Sequence, residues 1–73
     1  MQKIDVGNEV EWTWGRSKAE GKVTRKFTSD VKRQIKGKTV KRKADADEPA
    51  FLITEDDGDR VLKSHSELRK TDG

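Results

Sequence analysis

The chain of 73 residues has no cysteine and no tyrosine, a single proline, a single histidine and only four aromatic side chains. Without thiols there is neither a disulfide framework nor a thiolate metal site. With one histidine and no cysteine, the usual nitrogen and sulfur metal clusters are also excluded, and no cofactor or metal is expected. The five glycines ahead of the C-terminal one (Gly7, Gly15, Gly21, Gly37 and Gly58) are scattered singly, so there is no phosphate-cradling glycine loop. No apolar run approaches the roughly 18–20 residues of a membrane helix. The start, Met1 to Asp5, lacks the apolar stretch of a signal peptide. A soluble, cytoplasmic protein with no membrane partner is the expectation. Apolar residues are also scarce, at 29% against 42% charged. One thinly cored domain spanning residues 1–73, ordered from about residue 4 to 70, is all such a chain supports, with stability of roughly 3–5 kcal/mol.

What the chain has in abundance is charge, and the charge is sorted. Residues 16–43 hold twelve basic side chains and two acidic ones, a net of +10, whereas residues 44–59 hold seven acids and no base, a net of −7. The overall +3 conceals this layout. Basic fields of that density attract polyanions.

The apolar residues recur with a period of two. Val10, Trp12 and Trp14 alternate with Glu9, Glu11 and Thr13, which describes a half-buried strand. Gly15 to Lys18 reads as a loop into a second strand, where Ala19, Gly21, Val23, Arg25 and Phe27 share one parity; Gly21 suggests a bend or bulge. Val31, Arg33 and Ile35 begin a third strand, Lys36-Gly37-Lys38 supplies a hairpin loop, and Thr39 to Lys43 returns as an exposed or edge strand. Ala44 to Pro49 is an acidic loop. Ala50 to Thr54 is the most apolar stretch and the expected central strand. Asp57-Gly58 marks a hairpin turn before Arg60 to Lys63. Ser64 and Glu67 have capping-box spacing, which predicts one short helical turn placing Leu68 on the core. Five to six short antiparallel strands with one helical turn near the C-terminus predict an all-β fold, a small barrel closed or nearly closed to remove its edges.

The run Pro49 to Leu68, ending D-D-G-D-R-V-L-K-S-H-S-E-L, resembles the hypervirulence-associated Tudor-like domain family. So do Val6 to Val10, Trp12 to Gly15, Ala19 to Val23, Ile35 to Lys38 and Val40 to Arg42, and together they extend the resemblance over roughly residues 4–70. The resemblance implies an SH3- or Tudor-like five-stranded barrel and carries no reaction with it. Well-known Tudor readers hold a methylated side chain in a cage of several aromatic rings. With only Trp12, Trp14, Phe27 and Phe51, at least two of them expected in the core, this chain has too few rings for a full cage.

The basic hairpin is the strongest candidate site. Alternation puts Lys32, Gln34 and Lys36 on one face with Arg33 opposite; on the returning strand Lys41 and Lys43 share a face, and Arg42 lies on the other with Val40. Lys32, Arg33, Lys36, Lys38, Lys41, Arg42 and Lys43 would neutralise phosphates, flanked by Arg16, Arg25 and Lys26. Trp14, beside Gly15 and Arg16, is a candidate for stacking on a base. The bland reading is a solvated hairpin, partly neutralised by the acidic loop that follows. The expected function is thus a noncatalytic binding module for DNA or RNA with weak sequence specificity, as a monomer or weak homodimer. The alternative is an interaction module for a charged protein partner or for itself. An enzyme is not expected: His65 lies between Ser64 and Ser66, and neighbours in a tight turn do not face one another as a triad requires. Glu55, Asp56, Asp57 and Asp59 do not match a calcium loop and read as a turn.

Overall fold

A computed structural model describes residues 3–71, apart from the side chain of Trp14. Seven strands form two antiparallel sheets: β1 (Glu9–Trp14), β2 (Ser17–Phe27), β3 (Val31–Ile35), β4 (Lys38–Arg42), β5 (Ala50–Glu55), β6 (Arg60–Ser64) and β7 (Arg69–Lys70). The main sheet has the order β6-β5-β2-β1-β7, and β3 pairs with β4 alone. A single 3₁₀ turn, His65–Glu67, links β6 to β7 and so joins the two ends of the main sheet. This is the small all-β, barrel-like fold that the alternation predicts, with more strands than expected. The addition is β7, two charged residues that extend the β1 edge through pairs Val10–Lys70 and Glu11–Arg69.

The turns follow from glycine. Gly15, at φ +57°, turns β1 into β2 in two residues, so the second strand begins at Ser17 and the expected longer loop is absent. Lys36 and Gly37 both have positive φ (+52° and +76°), the signature of the tight hairpin turn that matches strand twist. The acidic turn after β5 is a three-residue loop rather than a two-residue Asp-Gly turn. Gly58 N–H donates to the Glu55 carbonyl (2.9 Å), Glu55 N–H donates to the Asp59 carbonyl (2.7 Å), and Gly58 takes the left-handed conformation at the end.

Gly21 has a different role from the expected bend. A Cβ built there would lie 2.6 Å from Ile53 Cγ2 and 2.7 Å from the Thr54 carbonyl oxygen, so glycine allows β2 and β5 to approach closely. The irregularity of β2 lies further on, between Val23 and Arg25, where Val23 opposes Ile53 but Arg25 opposes Leu52. Thr24 is the extra residue, and its hydroxyl donates to the Leu52 carbonyl (3.1 Å). The bulge turns over the parity of the strand. Before it Val23 faces the core; after it Arg25 and Phe27 share the face of their partners Leu52 and Ala50.

Strand β5 is consequently buried on both faces. Its inner face gives Phe51 and Ile53 to a core with Ile4, Val10, Trp12 and Val23, against which Ala19, Val61 and Leu68 pack. Its outer face carries Leu52, paired with Leu62; both are buried although they point away from that core. The β3–β4 hairpin lies against β6 and covers this second face. Ile4, outside every strand, is the core member the alternation did not reveal.

Candidate nucleic-acid interface

Register fixes which side of the hairpin is exposed. The pairs are Val31–Arg42, Lys32–Lys41, Arg33–Val40, Gln34–Thr39 and Ile35–Lys38. Val31, Arg33, Ile35, Val40 and Arg42 are half-buried, while Lys32, Gln34, Thr39, Lys41 and Lys43 are exposed. The solvent face therefore sets Lys32 directly opposite Lys41, with Lys43 one step along the same side. Like charges directly opposite across a ladder repel. None of these three lysines has an ion-pair partner among the described residues.

The other sequence-predicted cations are distributed differently. Arg33 faces inward, its guanidinium carbon 5.1 Å from the centre of the Phe27 ring. Such a contact stabilises by about 0.5–2 kcal/mol, the more so where water is excluded. Arg42 pairs with Glu67 (Nε to Oε1, 3.3 Å) and donates through Nη1 to the Lys41 carbonyl (3.0 Å). Lys36, at the tip, donates to Asp59 Oδ2 at 2.6 Å. Lys26 lies 3.5 Å from Asp5, away from the hairpin. Arg16 is in the β1–β2 turn, Arg25 is exposed on the outer face of β2, and Lys38 begins β4; none of these three is ion-paired among the described residues. Trp14 ends β1, and its side chain lies outside the described residues.

Direct ion pairing between the acidic and the basic halves of the chain is sparse among the described residues. Among the described residues, Lys36–Asp59 is the single ion pair joining the +10 segment to the −7 segment. Its hydrogen bond first, and the attraction of the Asp59 charge second, raise the Lys36 pKa above its ordinary value. Two of the remaining acids of the acidic half accept hydrogen bonds from backbone. Asp45 Oδ1 accepts from the N–H groups of Asp47 and Glu48 (2.9 and 2.7 Å), and Asp57 Oδ1 from that of Asp59 (2.9 Å). Asp30 Oδ1 accepts from Ala44 N–H (3.1 Å) and closes the base of the hairpin.

Glu55, Asp57 and Asp59 converge, their carboxylate oxygens within 4.8 Å of one another, and the Lys36 ammonium lies against Asp59. The expected capping box forms between Ser64 and Glu67, with Ser64 N–H donating to Glu67 Oε1 (2.9 Å). Burial pushes the Glu67 pKa up, but the Ser64 hydrogen bond and the charges of Lys63 and Arg42 outweigh it, leaving the carboxyl below its ordinary value. His65 is buried beside Phe51, ring centres 6.0 Å apart, and its N–H donates to the Pro49 carbonyl (2.9 Å). Its ring serves packing against Phe51, and its backbone serves the chain turn.

The family whose description reads "Hypervirulence associated proteins TUDOR domain" matches residues 7–68. The chain belongs to this Tudor domain family. No curated protein and no solved structure matches it. Tudor-like domains are in general binding modules, and membership carries function to that level. In this Tudor domain Trp12 and Phe51 are in the core and Phe27 lies under Arg33, so three of the four rings are committed. A cage of several rings is not available.

Sequence reasoning passed over Arg60, taken only as the start of a strand. It pairs with Thr54, two residues beyond Leu52, and therefore projects on the same outer face as Arg25. Counting back two from Leu62 would have found it.

Proposed function

We propose that this Tudor domain is a noncatalytic module that holds nucleic acid by its phosphates, through the exposed face of the β3–β4 hairpin. The observation that carries the reading is the Lys32–Lys41 pair, with Lys43 beside it and no carboxylate in partnership. In isolation the pair is unfavourable. A phosphate backbone laid across it turns repulsion into shared attraction and releases counterions. Arg16, Arg25 and Lys38, exposed and without an ion-pair partner among the described residues, are further cations that can add to the field. The exposed face bears no aromatic ring, which favours contact with the backbone over stacking on unpaired bases. Gln34 and Thr39, opposite one another between the lysines and the tip, are the polar groups able to touch a base edge.

Titration with duplex and single-stranded oligonucleotides of one sequence at two salt concentrations tests this. Neutralising three phosphates predicts about a fortyfold loss of affinity to duplex between 50 and 200 mM salt. Lys32→Gln with Lys41→Gln should flatten that dependence without unfolding the domain. No binding at low salt would overturn the proposal.

The small overlap between the two charged segments supports a second reading, a charged protein partner, a second copy included. Under it, Asp47→Lys with Glu48→Lys abolishes partner capture or self-association measured by sedimentation and leaves oligonucleotides irrelevant.

A further inference from the structure

The covered side of the hairpin holds a different basic feature. Between β3 and the outer face of β2, β5 and β6 is a cavity of about 350 Å³ lined by Arg25, Arg33, Gln34, Ile35, Leu52 and Arg60. Three arginines from three strands surround it, no carboxylate lines it, and none of the three has an ion pair among the described residues. Their convergence follows from register. Arg25 opposes Leu52, Arg60 opposes Thr54 on the same face, and Arg33 projects from the hairpin toward them. Arg33 is held in place by the Phe27 ring, and its Nε is buried with no hydrogen-bond partner among the described residues. Arg25 and Arg60 are exposed at the rim.

We propose that this cavity is a binding site for a phosphate monoester. Three guanidinium groups gathered without a counter-charge repel one another, and an anion among them relieves that repulsion. Arginine presents paired donors that match the oxygens of a phosphoryl group, and bidentate contacts of this kind are short and strong. A monoester carries about −1.5 to −2 at neutral pH, nearer the cavity's charge than the single negative charge of a backbone diester. Leu52 and Ile35 supply an apolar wall for the carbon skeleton, and the volume is at the small end for ligand pockets, which run from about 300 Å³ upward. The site lies on the opposite side of the hairpin from Lys32 and Lys41, with Gln34 alone bordering both, and it stands or falls independently of nucleic-acid binding there. The phosphoryl group has two sources, a small phosphorylated metabolite or the terminal phosphate of a nucleic-acid strand.

The probe is phenyl phosphate, followed through the Arg Nε–H resonances by NMR and by calorimetry. Saturable shifts of the Arg33 resonance are expected. Arg25→Gln and Arg60→Gln, both at the rim, should each weaken binding about tenfold, the loss of one charge-assisted contact. Lys32→Gln with Lys41→Gln should leave it unchanged. Competition by a 5′-phosphorylated oligonucleotide but not by its 5′-hydroxyl form assigns the strand terminus as source; competition by neither assigns the small molecule. Absence of saturable shifts, or equal affinity in the wild type and the two arginine variants with their folded spectra intact, overturns the proposal.

Discussion

The main sheet and the β3–β4 hairpin are built from the same antiparallel ladder but are held in different ways. The main sheet closes over Phe51, Ile53, Val10, Val23, Trp12 and Ile4. The hairpin shares no ladder with it, and a lone two-stranded hairpin is marginal in water. It stays in place through Leu52 and Leu62 beneath it, Arg33 on Phe27, Arg42 on Glu67, and Lys36 on Asp59. The sheet is thus secured by apolar burial, which needs few residues. The hairpin is secured largely by charged side chains, which leaves its outward lysines available.

The sharpest way to break this contrast is in the core. Phe51→Ala should cost about 3–5 kcal/mol, comparable to the whole stability of so small a domain, and circular dichroism should show an unfolded chain. Gly21→Ala comes next. A Cβ within 2.7 Å of the Thr54 carbonyl displaces backbone, and a loss of about 1–3 kcal/mol should appear in denaturant melts of the whole domain.

Both effects are global. The hairpin substitutions should be local. Phe27→Leu removes the ring beneath Arg33 at a cost of about 1 kcal/mol. Amide exchange should quicken in β3 and β4 while β1, β2 and β5 keep their protection. Equal acceleration everywhere would mean that the hairpin and the sheet open as one unit.

Glu67→Gln sharpens the contrast through pH. The folded carboxyl titrates below its ordinary value, so its contribution is in place above that value and disappears as pH falls through the lowered one. The variant should be less stable than the wild type by about 1 kcal/mol at neutral pH, the size of a capping contact, and the two melts should converge in acid. The smallest effect belongs to Lys36→Met. Its side chain is largely exposed, and its raised pKa keeps the ion pair intact until strongly alkaline pH. Faster exchange confined to the tip, erased by high salt, is the expected outcome.

These contrasts also show what alternation alone conveys. Val10 and Trp12, the apolar run of β5, the hairpin at Lys36-Gly37 and the Ser64–Glu67 turn were legible because each is a local pattern with a local cause. Strand β7 was not, since Arg69 and Lys70 carry no apolar signal and pair with β1 only because the 3₁₀ turn delivers them there. The bulge at Thr24 was hidden because an extra residue leaves composition untouched while reversing the parity of Arg25 and Phe27. For the candidate site, the exposed lysines followed from period two. That Arg33 lies beneath the hairpin was not legible, because it depends on the hairpin folding over Leu52 and Leu62 rather than standing free.

The pairing of Phe27 with Ala50 has one more consequence. The 22 residues between them leave the sheet and return to directly opposed positions, about 5 Å apart, a gap that a two-residue turn spans. The hairpin is in effect a cassette spliced into a barrel that is topologically whole without it. Excising it would uncover Leu52 and Leu62 as a sticky patch, and polar residues at those two positions would yield a minimal barrel. Sequence change within the cassette can therefore alter what the domain grips without touching the core that keeps it folded.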